Sequence, residues 1–431
     1  MDADTIFAVA TGAGRAAIAV MRLSGPATRT VLGGLCRRIP PPRRASLRRL
    51  YDPAGAELDQ AMVLWLPGPG SYTGEDSAEL FLHGGRAVIE GVAEALVALG
   101  ARPAEPGEFT RRAFLNGRMD LTEAEAVYDL VAAETAAQRR QALRQLDGAL
   151  GTIYRGWADR LRTLLAQQEA LIDFPDEDLP PDVEAAVMAE LDALRHEVTA
   201  HLDDNRRGER LREGLVFAIS GPPNVGKSSL MNALAERDVA IVSPLPGTTR
   251  DALETRVVLG GVPVTLVDTA GLRETQDAIE AEGVRRALAR AADADLVIAV
   301  IESGHDIPPI TAEPSPRIIA ANKIDLGGAV PLGAIGVSAL TGEGLDTLRA
   351  CLTRHARSLT ETAGPPPLTR ARHRAALQEA VARLAGAATA DLPELRAEDL
   401  RLALRSLGRI TGSVGVEDIL DTLFAQFCIG K

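Results

Sequence analysis

A segment of eight residues near the middle of the chain constrains the fold more than any other feature. Residues 221–228 read Gly-Pro-Pro-Asn-Val-Gly-Lys-Ser, which is the spacing of a phosphate-binding loop. In such a loop the glycines permit a tight path along which backbone N–H groups converge on phosphate oxygens, and the following helix adds the dipole of its N-terminus. The segment therefore predicts a strand before it, a helix after it and an α/β domain around it.

Two later motifs have the spacing of a guanine-nucleotide site. Asp-Thr-Ala-Gly occupies residues 268–271, and Asn-Lys-Ile-Asp occupies residues 322–325. Between residues 215 and 357 short apolar runs alternate with helical patterns, which predicts a doubly wound parallel sheet. The predicted strands are 216–220, 264–267, 296–301, 317–321 and 335–337. Each motif then follows the C-terminal end of a strand, where open α/β sheets bind their ligands.

The chemistry of GTP and Mg²⁺ assigns a role to several of these side chains. Lys227 reaches the β- and γ-phosphates and is a candidate catalytic residue, while Ser228 and Thr249 supply hydroxyl ligands to Mg²⁺. Asp325 can accept from two N–H groups on the edge of guanine, and adenine offers no such pair. The other residues predicted to contact the nucleotide are Asn224, Val225, Gly226, Ser229, Asp268, Gly271, Asn322, Lys323, Ser338 and Ala339.

The position after Gly271 is unusual for a GTPase. Leu272 stands where Ras-type enzymes carry a glutamine that orients the attacking water. A carboxylate in residues 273–282 is the expected replacement, and the residues alone do not separate its four candidates. These are Glu274, Asp277, Glu280 and Glu282. Arg250 and Arg273 either neutralise charge in the transition state or form ordinary ion pairs.

The segments on both sides of the GTPase module have helical spacing. Leucines and other apolar residues from Leu143 to Leu164 recur every three or four positions, which predicts one long helix, and a second helix is expected from 183 to near Gly208. Helical spacing resumes after the prolines at 365–367. The first 115 or so residues instead contain strand-like runs at 17–22, 62–66 and 78–82. An α+β domain is expected there.

These patterns predict four segments. They are an α+β domain at 1–117, the first part of a helical domain at 118–210, the GTPase domain at 211–357 and the second part of the helical domain at 358–431. The α/β Ras-like P-loop GTPase domain is thus expected to be inserted in an all-α helical domain and preceded by the α+β N-terminal domain.

Composition excludes several classes of protein. The three cysteines, Cys36, Cys351 and Cys428, are far apart and do not suggest zinc or disulfides. The N-terminus is acidic and no run of about 18 apolar residues exists, so we expect a cytoplasmic protein that does not enter a membrane. The net charge is −12, so an RNA contact must be local. The candidates are Arg37, Arg38, Arg43, Arg44, Arg48 and Arg49, for which a solvated basic loop is the alternative.

The motifs together resemble one family, the MnmE (TrmE) tRNA-modification GTPases. The resemblance runs from residue 22 to residue 431. Within the GTPase module it covers residues 221–229, 247–251 and 268–274. Outside the module it covers residues 106–110, 112–116, 173–177 and 427–431.

The resemblance implies a specific activity. Such proteins form homodimers whose N-terminal domains hold a tetrahydrofolate one-carbon donor, as the 5-formyl or 5,10-methylene derivative. With the flavoprotein MnmG, in a heterotetramer, they add a carboxymethylaminomethyl or aminomethyl group at carbon 5 of the wobble uridine of tRNA. Their GTP hydrolysis depends on K⁺ and on dimerisation.

The resemblance also assigns residues of this sequence. Glu280 matches the glutamate that positions the attacking water. The implied potassium ligands are Asn224, Ser243, Leu245 and Thr248. The implied folate contacts are Arg22, Glu79, Arg118 and Lys431, where position 118 is lysine in some relatives. A carboxylate such as Glu79 can hold the amidine-like edge of a pterin, and cations suit the glutamyl tail.

Two other functions are compatible with the GTPase motifs. A ribosome-assembly GTPase of the Era or EngA type has a similar module and the same missing glutamine, but it carries a KH-type RNA domain or a second GTPase module, and neither pattern occurs in this sequence. A pure switch would recruit partners without meaningful turnover. Binding of 5-formyltetrahydrofolate and the rate of hydrolysis distinguish these alternatives.

Overall fold

A computed structural model describes residues 4–12, 14–173, 183–237, 254–268, 294–305, 316–361, 364–415 and 417–430. The chain divides into two compact units. The first unit comprises Met1–Tyr128, Gln145–Glu177 and Asp391–Lys431, and the second comprises Asp129–Arg144 and Asp178–Ala390. The four domain ranges expected from the sequence remain a prediction.

A mixed six-stranded sheet forms the N-terminal part of the first unit. Its strands are β1 (Thr5–Val9), β2 (Ile18–Ser24), β3 (Ser46–Tyr51), β4 (Glu57–Leu66), β5 (Ser77–His83) and β6 (Ala101–Pro103). Their order is β3-β4-β5-β2-β1-β6, and every pair is antiparallel except β1 with β6. Helices α1 (Thr28–Cys36) and α2 (Arg86–Ala98) bury one face of the sheet. The expected α+β fold is present, although β1, β3 and β6 were not predicted.

The other α-helices of the described residues follow in chain order. They are α3 (Glu108–Leu115), α4 (Leu121–Ala132), α5 (Ala136–Leu146), α6 (Ala149–Asp173), α7 (Val183–Leu202), α8 (Arg207–Glu213), α9 (Lys227–Arg237), α10 (Leu345–Thr360), α11 (Ala371–Thr389), α12 (Pro393–Thr411) and α13 (Glu417–Phe424). In the described part of the chain, no helix is both long and apolar enough to cross a membrane.

The prediction of one continuous helix through Leu143 and Leu164 is wrong. Helix α5 ends at Leu146 and α6 begins at Ala149. Gly148 has φ +81° and its N–H donates to the carbonyl of Gln145 at 3.0 Å, which closes the last turn of α5. A left-handed glycine is a common helix terminator. Leu143, which precedes it, is 40% exposed, so the apolar spacing through this residue did not mark one continuous buried stripe. Likewise, the helix expected to end near Gly208 is two helices, α7 and α8.

A second six-stranded sheet forms the centre of the second unit. Its strands are β7 (Leu215–Ser220), β8 (Glu254–Leu259), β9 (Val262–Asp268), β10 (Leu296–Glu302), β11 (Arg317–Asn322) and β12 (Ala334–Gly336). Their order is β12-β11-β10-β7-β9-β8, and all pairs are parallel except the hairpin β8–β9. The five predicted strands are confirmed to within two residues at each end. Helices α9 and α10 pack against this sheet in one apolar core.

Candidate functional site

The phosphate-binding loop connects β7 to α9 at the C-terminal edge of the second sheet. Two glycines of the loop have no room for a side chain. A Cβ on Gly221 would lie 2.2 Å from the carbonyl oxygen of Val300, and one on Gly226 would lie 2.4 Å from Nδ2 of Asn322. Both glycines have positive φ, +146° and +92°, and Asn224 between them has φ +63°. The loop therefore fits tightly between its neighbours, with its backbone fixed.

Lys227 and Ser228 lie at the start of α9. Lys227 is buried, and its Nζ donates to the carbonyls of Gly221 and Pro222 at 2.9 and 2.6 Å, which holds the ammonium over the loop. Ser228 Oγ donates to Oδ2 of Asp268 at 2.7 Å. Asp268 ends β9, which is the strand next to β7. A hydroxyl beside a carboxylate is a donor pair that suits a hard cation, so these residues fit Mg²⁺.

Asn322 joins three segments of the nucleotide site. Its side chain is buried, with Nδ2 donating to the carbonyl of Val225 at 2.8 Å and Oδ1 accepting from the N–H of Ala339 at 3.1 Å. The phosphate loop, the end of β11 and the segment after β12 are thereby fixed to one another. Ser338 is buried beside them and its hydroxyl accepts from the N–H of Thr341 at 3.1 Å. The structure thus brings together the motifs that the sequence places about a hundred residues apart.

The base-recognition motif turns sharply after β11. Lys323 has φ +65°, and Asp325 lies exposed in the short 3-10 helix Ile324–Leu326. Nζ of Lys323 forms an ion pair with Oε2 of Glu302 at 3.2 Å, and Ser303 Oγ donates to the carbonyl of Lys323 at 2.9 Å. Glu302 and Ser303 were not predicted from the sequence. Glu302 is the last residue of the apolar strand β10, and Ser303 follows it. Their position at the end of this strand was the only sign in the sequence that they belong to the site.

Several predicted site residues lie outside the described residues. They are Ser243, Leu245, Thr248, Thr249, Arg250, Gly271, Leu272, Arg273, Glu274, Asp277, Glu280, Glu282 and Lys431. Of the predicted potassium ligands, only Asn224 is described. Within the described ranges, no group of three or more His, Cys, Asp and Glu side chains is placed to hold a metal ion.

A second cluster of predicted site residues lies on the first sheet. Arg22 on β2 and Glu79 on β5 are cross-strand neighbours, and Nε and Nη2 of Arg22 donate to Oε1 of Glu79 at 3.1 and 2.9 Å. The guanidinium carbon of Arg22 also lies 5.5 Å from the ring centroid of Tyr72 and 5.9 Å from that of Phe109. Burial raises the pKa of Tyr72, against the smaller opposing effects of its hydrogen bond with Thr110 and of Arg22. The arrangement offers one carboxylate, one cation and two rings.

Of the other two predicted folate contacts, Arg118 is described, and for Lys431 only the preceding residue is. A Cβ on Gly74 would lie 3.2 Å from Cγ of Arg118, so the stem of this arginine lies against the segment that carries Tyr72. Gly430, the residue before Lys431, lies against the end of β1. A Cβ on Gly430 would lie 2.6 Å from the carbonyl oxygen of Val9. Tyr72 and Phe109 were not predicted as site residues, although Phe109 belongs to a family motif.

The side chains around this cluster define an open face of the first sheet, opposite to α1 and α2. The cross-strand register places two rows of side chains on this face. One row runs across β3, β4, β5 and β2 through Leu47, Met62, Phe81 and Val20. The other runs across β4, β5 and β2 through Leu64, Glu79 and Arg22. Ile18, Leu47 and Met62 are 57%, 59% and 45% exposed. The open face thus carries exposed apolar side chains around the Arg22–Glu79 pair, and the same register places Arg49 opposite Gln60 and His83 opposite Ile18 at its margins.

The phosphate loop after β7, the carboxylate at the end of β9 and the guanine motif at the end of β11 define a P-loop GTPase, and the chain is a GTP hydrolase. Residues 5–118 match the family described as GTP-binding protein TrmE N-terminus, and residues 121–428 match the MnmE helical domain. The chain belongs to the MnmE family of tRNA modification GTPases.

Curated relatives match along the whole chain. Proteins named tRNA modification GTPase MnmE are 66% identical in Gluconacetobacter diazotrophicus, with 99% of this chain and 98% of the relative covered, and 58% identical in Granulibacter bethesdensis, with both chains fully covered. Among solved structures, the chain is similar to the G domain of the T. maritima FeoB iron transporter. The identity there is 28%, the match covers 33% of this chain and 98% of that one, and the TM-score is 0.23.

Proposed function

We propose that this protein uses GTP hydrolysis to drive modification of the wobble uridine of tRNAs. It would add a carboxymethylaminomethyl or aminomethyl group at carbon 5, take the one-carbon unit from a tetrahydrofolate derivative, and act in the cytoplasm with the flavoprotein MnmG as a heterotetramer. The observation that carries the proposal is the coexistence of two sites in a chain of this family. One is the nucleotide site on the second sheet, and the other is the Arg22–Glu79 cluster on the first.

For the nucleotide, the chain supplies binding and electrostatic stabilisation. Lys227 and the N–H groups of the loop bind the phosphates, Ser228 and Thr249 hold Mg²⁺, and Asp325 selects guanine. When bound, Mg²⁺ neutralises charge that develops between the β- and γ-phosphates. The buried Asn322 holds the phosphate loop and the guanine motif in a fixed position relative to each other through its two side-chain hydrogen bonds. Such preorganisation stabilises the transition state because the donors need not reorganise during the reaction.

Hydrolysis needs a substitute for the glutamine replaced by Leu272, and we assign that role to Glu280. Glu280→Ala should bind GTP almost normally and hydrolyse it roughly 10²–10⁴-fold more slowly, which is typical of the loss of a catalytic proton acceptor. Glu274→Ala is the matched control, because it removes a carboxylate from the same segment. Single-turnover rates of GTP hydrolysis measure both, and an unchanged rate for Glu280→Ala would assign the role to another carboxylate.

We also infer that a potassium ion assists hydrolysis, with Asn224, Ser243, Leu245 and Thr248 as its ligands. Asparagine is one of the few residues other than glycine that tolerate the left-handed conformation found at position 224. A cation beside the phosphate loop would act where an arginine finger acts in other GTPases. Equal rates of hydrolysis in K⁺ and in Na⁺ would contradict this assignment.

The folate assignment is supported by the hydrogen bonds of Glu79. Arg22 binds only Oε1 of this carboxylate, and no hydrogen bond to Oε2 is present among the described residues. Oε2 can therefore accept from the amidine-like edge of a pterin while Arg22 holds the carboxylate in its orientation through Oε1. Tyr72 and Phe109 offer flat surfaces against which the pterin ring can pack.

The rarity of lysine supports a role for Lys431. The chain contains 47 basic Lys and Arg residues, and only Lys227, Lys323 and Lys431 are lysine. The first two lie in nucleotide motifs, where a compact ammonium is needed and a guanidinium cannot substitute. We infer the same requirement for the lysine at position 431. Lys431→Arg should therefore weaken binding of 5-formyltetrahydrofolate, although the charge is kept.

The open face supports the assignment of a homodimer. Monomeric proteins rarely leave a continuous apolar surface in water, and a second copy of the chain is the simplest cover for it. Since Arg22 and Glu79 lie on the same face, dimerisation would also enclose the folate. Met62→Asp should shift the protein towards monomers in analytical ultracentrifugation and should slow K⁺-dependent hydrolysis.

The central experiment combines binding and genetics. The purified protein should bind 5-formyltetrahydrofolate in isothermal titration calorimetry, and a deletion strain should lack the modification at wobble uridines. Absence of folate binding together with normal wobble uridines would overturn the proposal in favour of a ribosome-assembly GTPase.

A further inference from the structure

The N-terminal part of the chain has a charge opposite to that of the whole. Between Asp4 and Asp52 there are nine arginines and no acidic residue, although the complete chain has a net charge of −12. A local basic region in an acidic protein is the electrostatic pattern of a surface that meets a polyanion.

Six of these arginines form what we call the arginine surface. They lie on α1, on the segment that follows it and on β3, and they are Arg29, Arg37, Arg38, Arg43, Arg44 and Arg48. The backbone and one aromatic ring hold several of them in place. The guanidinium carbon of Arg37 lies 3.8 Å from the ring centroid of Tyr51, and Nε of Arg48 donates to the carbonyl of Arg38 at 3.3 Å. These contacts order the side chains without neutralising their charge.

Two of the three other arginines of the segment differ from the arginine surface because they form ion pairs. Arg22 is paired with Glu79, and Arg49 is paired with Glu57 on the open face. Among the described residues, no carboxylate lies within ion-pair distance of Arg29, Arg38 or Arg44, and all three are exposed. Like charges held together without acidic partners are costly unless another group neutralises them.

A cleft adjoins the arginine surface. It has a volume of about 460 Å³, and Arg29 lines it together with Pro40, Pro42, Trp65 and one carboxylate, Asp76, whose Oδ1 accepts from the N–H of Gly68 at 3.0 Å. Nη2 of Arg43 donates to the carbonyl of Gly70 at 2.7 Å, and the N–H of Arg43 donates to the carbonyl of Trp65 at 2.8 Å. The segment that carries the arginines is therefore fixed to the sheet beside the cleft, as a docking surface for a shaped ligand requires.

We propose that the arginine surface docks the phosphate backbone of the tRNA. This inference rests on the proposed function, which supplies an RNA substrate. Guanidinium groups present paired N–H donors that match phosphate oxygens, and several phosphates spaced along a backbone can engage several arginines together. Arg48 on β3 points to one face of the first sheet, and Arg22 and Glu79 lie on the opposite face. RNA and folate therefore use different surfaces of the first unit.

The test uses the full-length protein and an unmodified tRNA transcript with uridine at the wobble position, followed by fluorescence anisotropy over a range of salt concentrations. The triple variant Arg29→Gln, Arg38→Gln and Arg44→Gln removes three exposed charges that form no ion pair with any described residue. Each lost phosphate contact should lower the slope of log affinity against log salt by about 0.7–0.9, so the slope should fall by about 2–3. Affinity near physiological salt should fall at least about tenfold.

A second triple variant controls for net charge. It replaces three exposed arginines outside the arginine surface by glutamine, namely Arg86, Arg162 and Arg401, each of which pairs with a carboxylate. The net charge of the protein then changes by the same amount as in the first triple variant. Normal GTP hydrolysis without RNA in both variants excludes misfolding. Equal affinities and slopes for both variants, or no binding by the unaltered protein, would overturn the inference. Neither result touches the proposed function, which folate binding and wobble-uridine analysis test separately.

Discussion

Arg22 and Glu79 face each other across β2 and β5, and the arginine donates both of its hydrogen bonds to a single carboxylate oxygen. The two side chains are 23% and 20% exposed, so the pair is partly shielded from water but accessible to a ligand. Oε2 of Glu79 is therefore left to accept a hydrogen bond from a ligand. Four predictions follow from this and other contacts of the described residues.

Glu79→Gln should weaken binding of 5-formyltetrahydrofolate by about ten- to a hundredfold, because a hydrogen bond to a charged group contributes about 1.5–3 kcal/mol. The fold should be retained, since glutamine has the same shape and can still accept from Arg22. Calorimetric titration measures the change. Glu90→Gln is the matched control, because Glu90 pairs with Arg86 on an exposed helix. An equal loss of affinity in the control would contradict the site.

Asp325→Asn should weaken GTP binding and favour xanthosine nucleotides, because an amide can donate to the oxygen that replaces the amino group of guanine. Asn322→Ala should instead weaken all nucleotides alike, since it removes the hydrogen bonds that join the phosphate loop to the guanine motif. Competition binding with GTP, XTP and GDP separates the two effects. If Asp325→Asn keeps its preference for GTP, another residue recognises the base.

Gly148→Ala should destabilise the protein by about 1–2 kcal/mol, because an alanine is strained at φ +81°. The added Cβ would also lie 3.1 Å from Oε1 of Glu123. Gly156→Ala is a control of opposite sign. Gly156 lies inside α6 with nothing within 4 Å of its Cβ position, so alanine should stabilise by about 0.5–1 kcal/mol. Urea midpoints give both values, and a stabilising Gly148→Ala would mean that the two helices can join.

The cysteines should differ in reactivity towards a thiol reagent at pH 8. Burial raises the pKa of Cys36 to about 11, with a smaller opposing effect of Arg48, so only about 0.1% of this thiol is ionised at that pH. Cys428 is exposed and should react quickly. The variant Cys428→Ser should lose the fast phase. A fast phase that persists in this variant, and that a Cys36→Ser variant removes, would show that Cys36 is accessible.

The class of the nucleotide site and the strands that carry its motifs could be predicted because the motif chemistry is local. A phosphate loop needs its glycines, lysine and serine within eight residues, and each motif follows an apolar strand that is readable from the sequence. The boundaries of the strands around the motifs were correct to within two residues. Periodicity failed at Gly148, because apolar residues at spacings of three and four do not show whether the helix that carries them is continuous.

The sequence by itself therefore determined the class of the second sheet and GTP as its nucleotide, while the residues assigned to hold GTP remain a prediction. Only the tertiary structure decided which distant groups meet. Asn322 and Val225 are 97 residues apart and Arg22 and Glu79 are 57 residues apart, and strand order brings each pair together. Among the described residues, it also decided which face of the first sheet α1 and α2 bury and which arginines form ion pairs. These properties arise from packing and cross-strand register, which join segments that no local pattern connects.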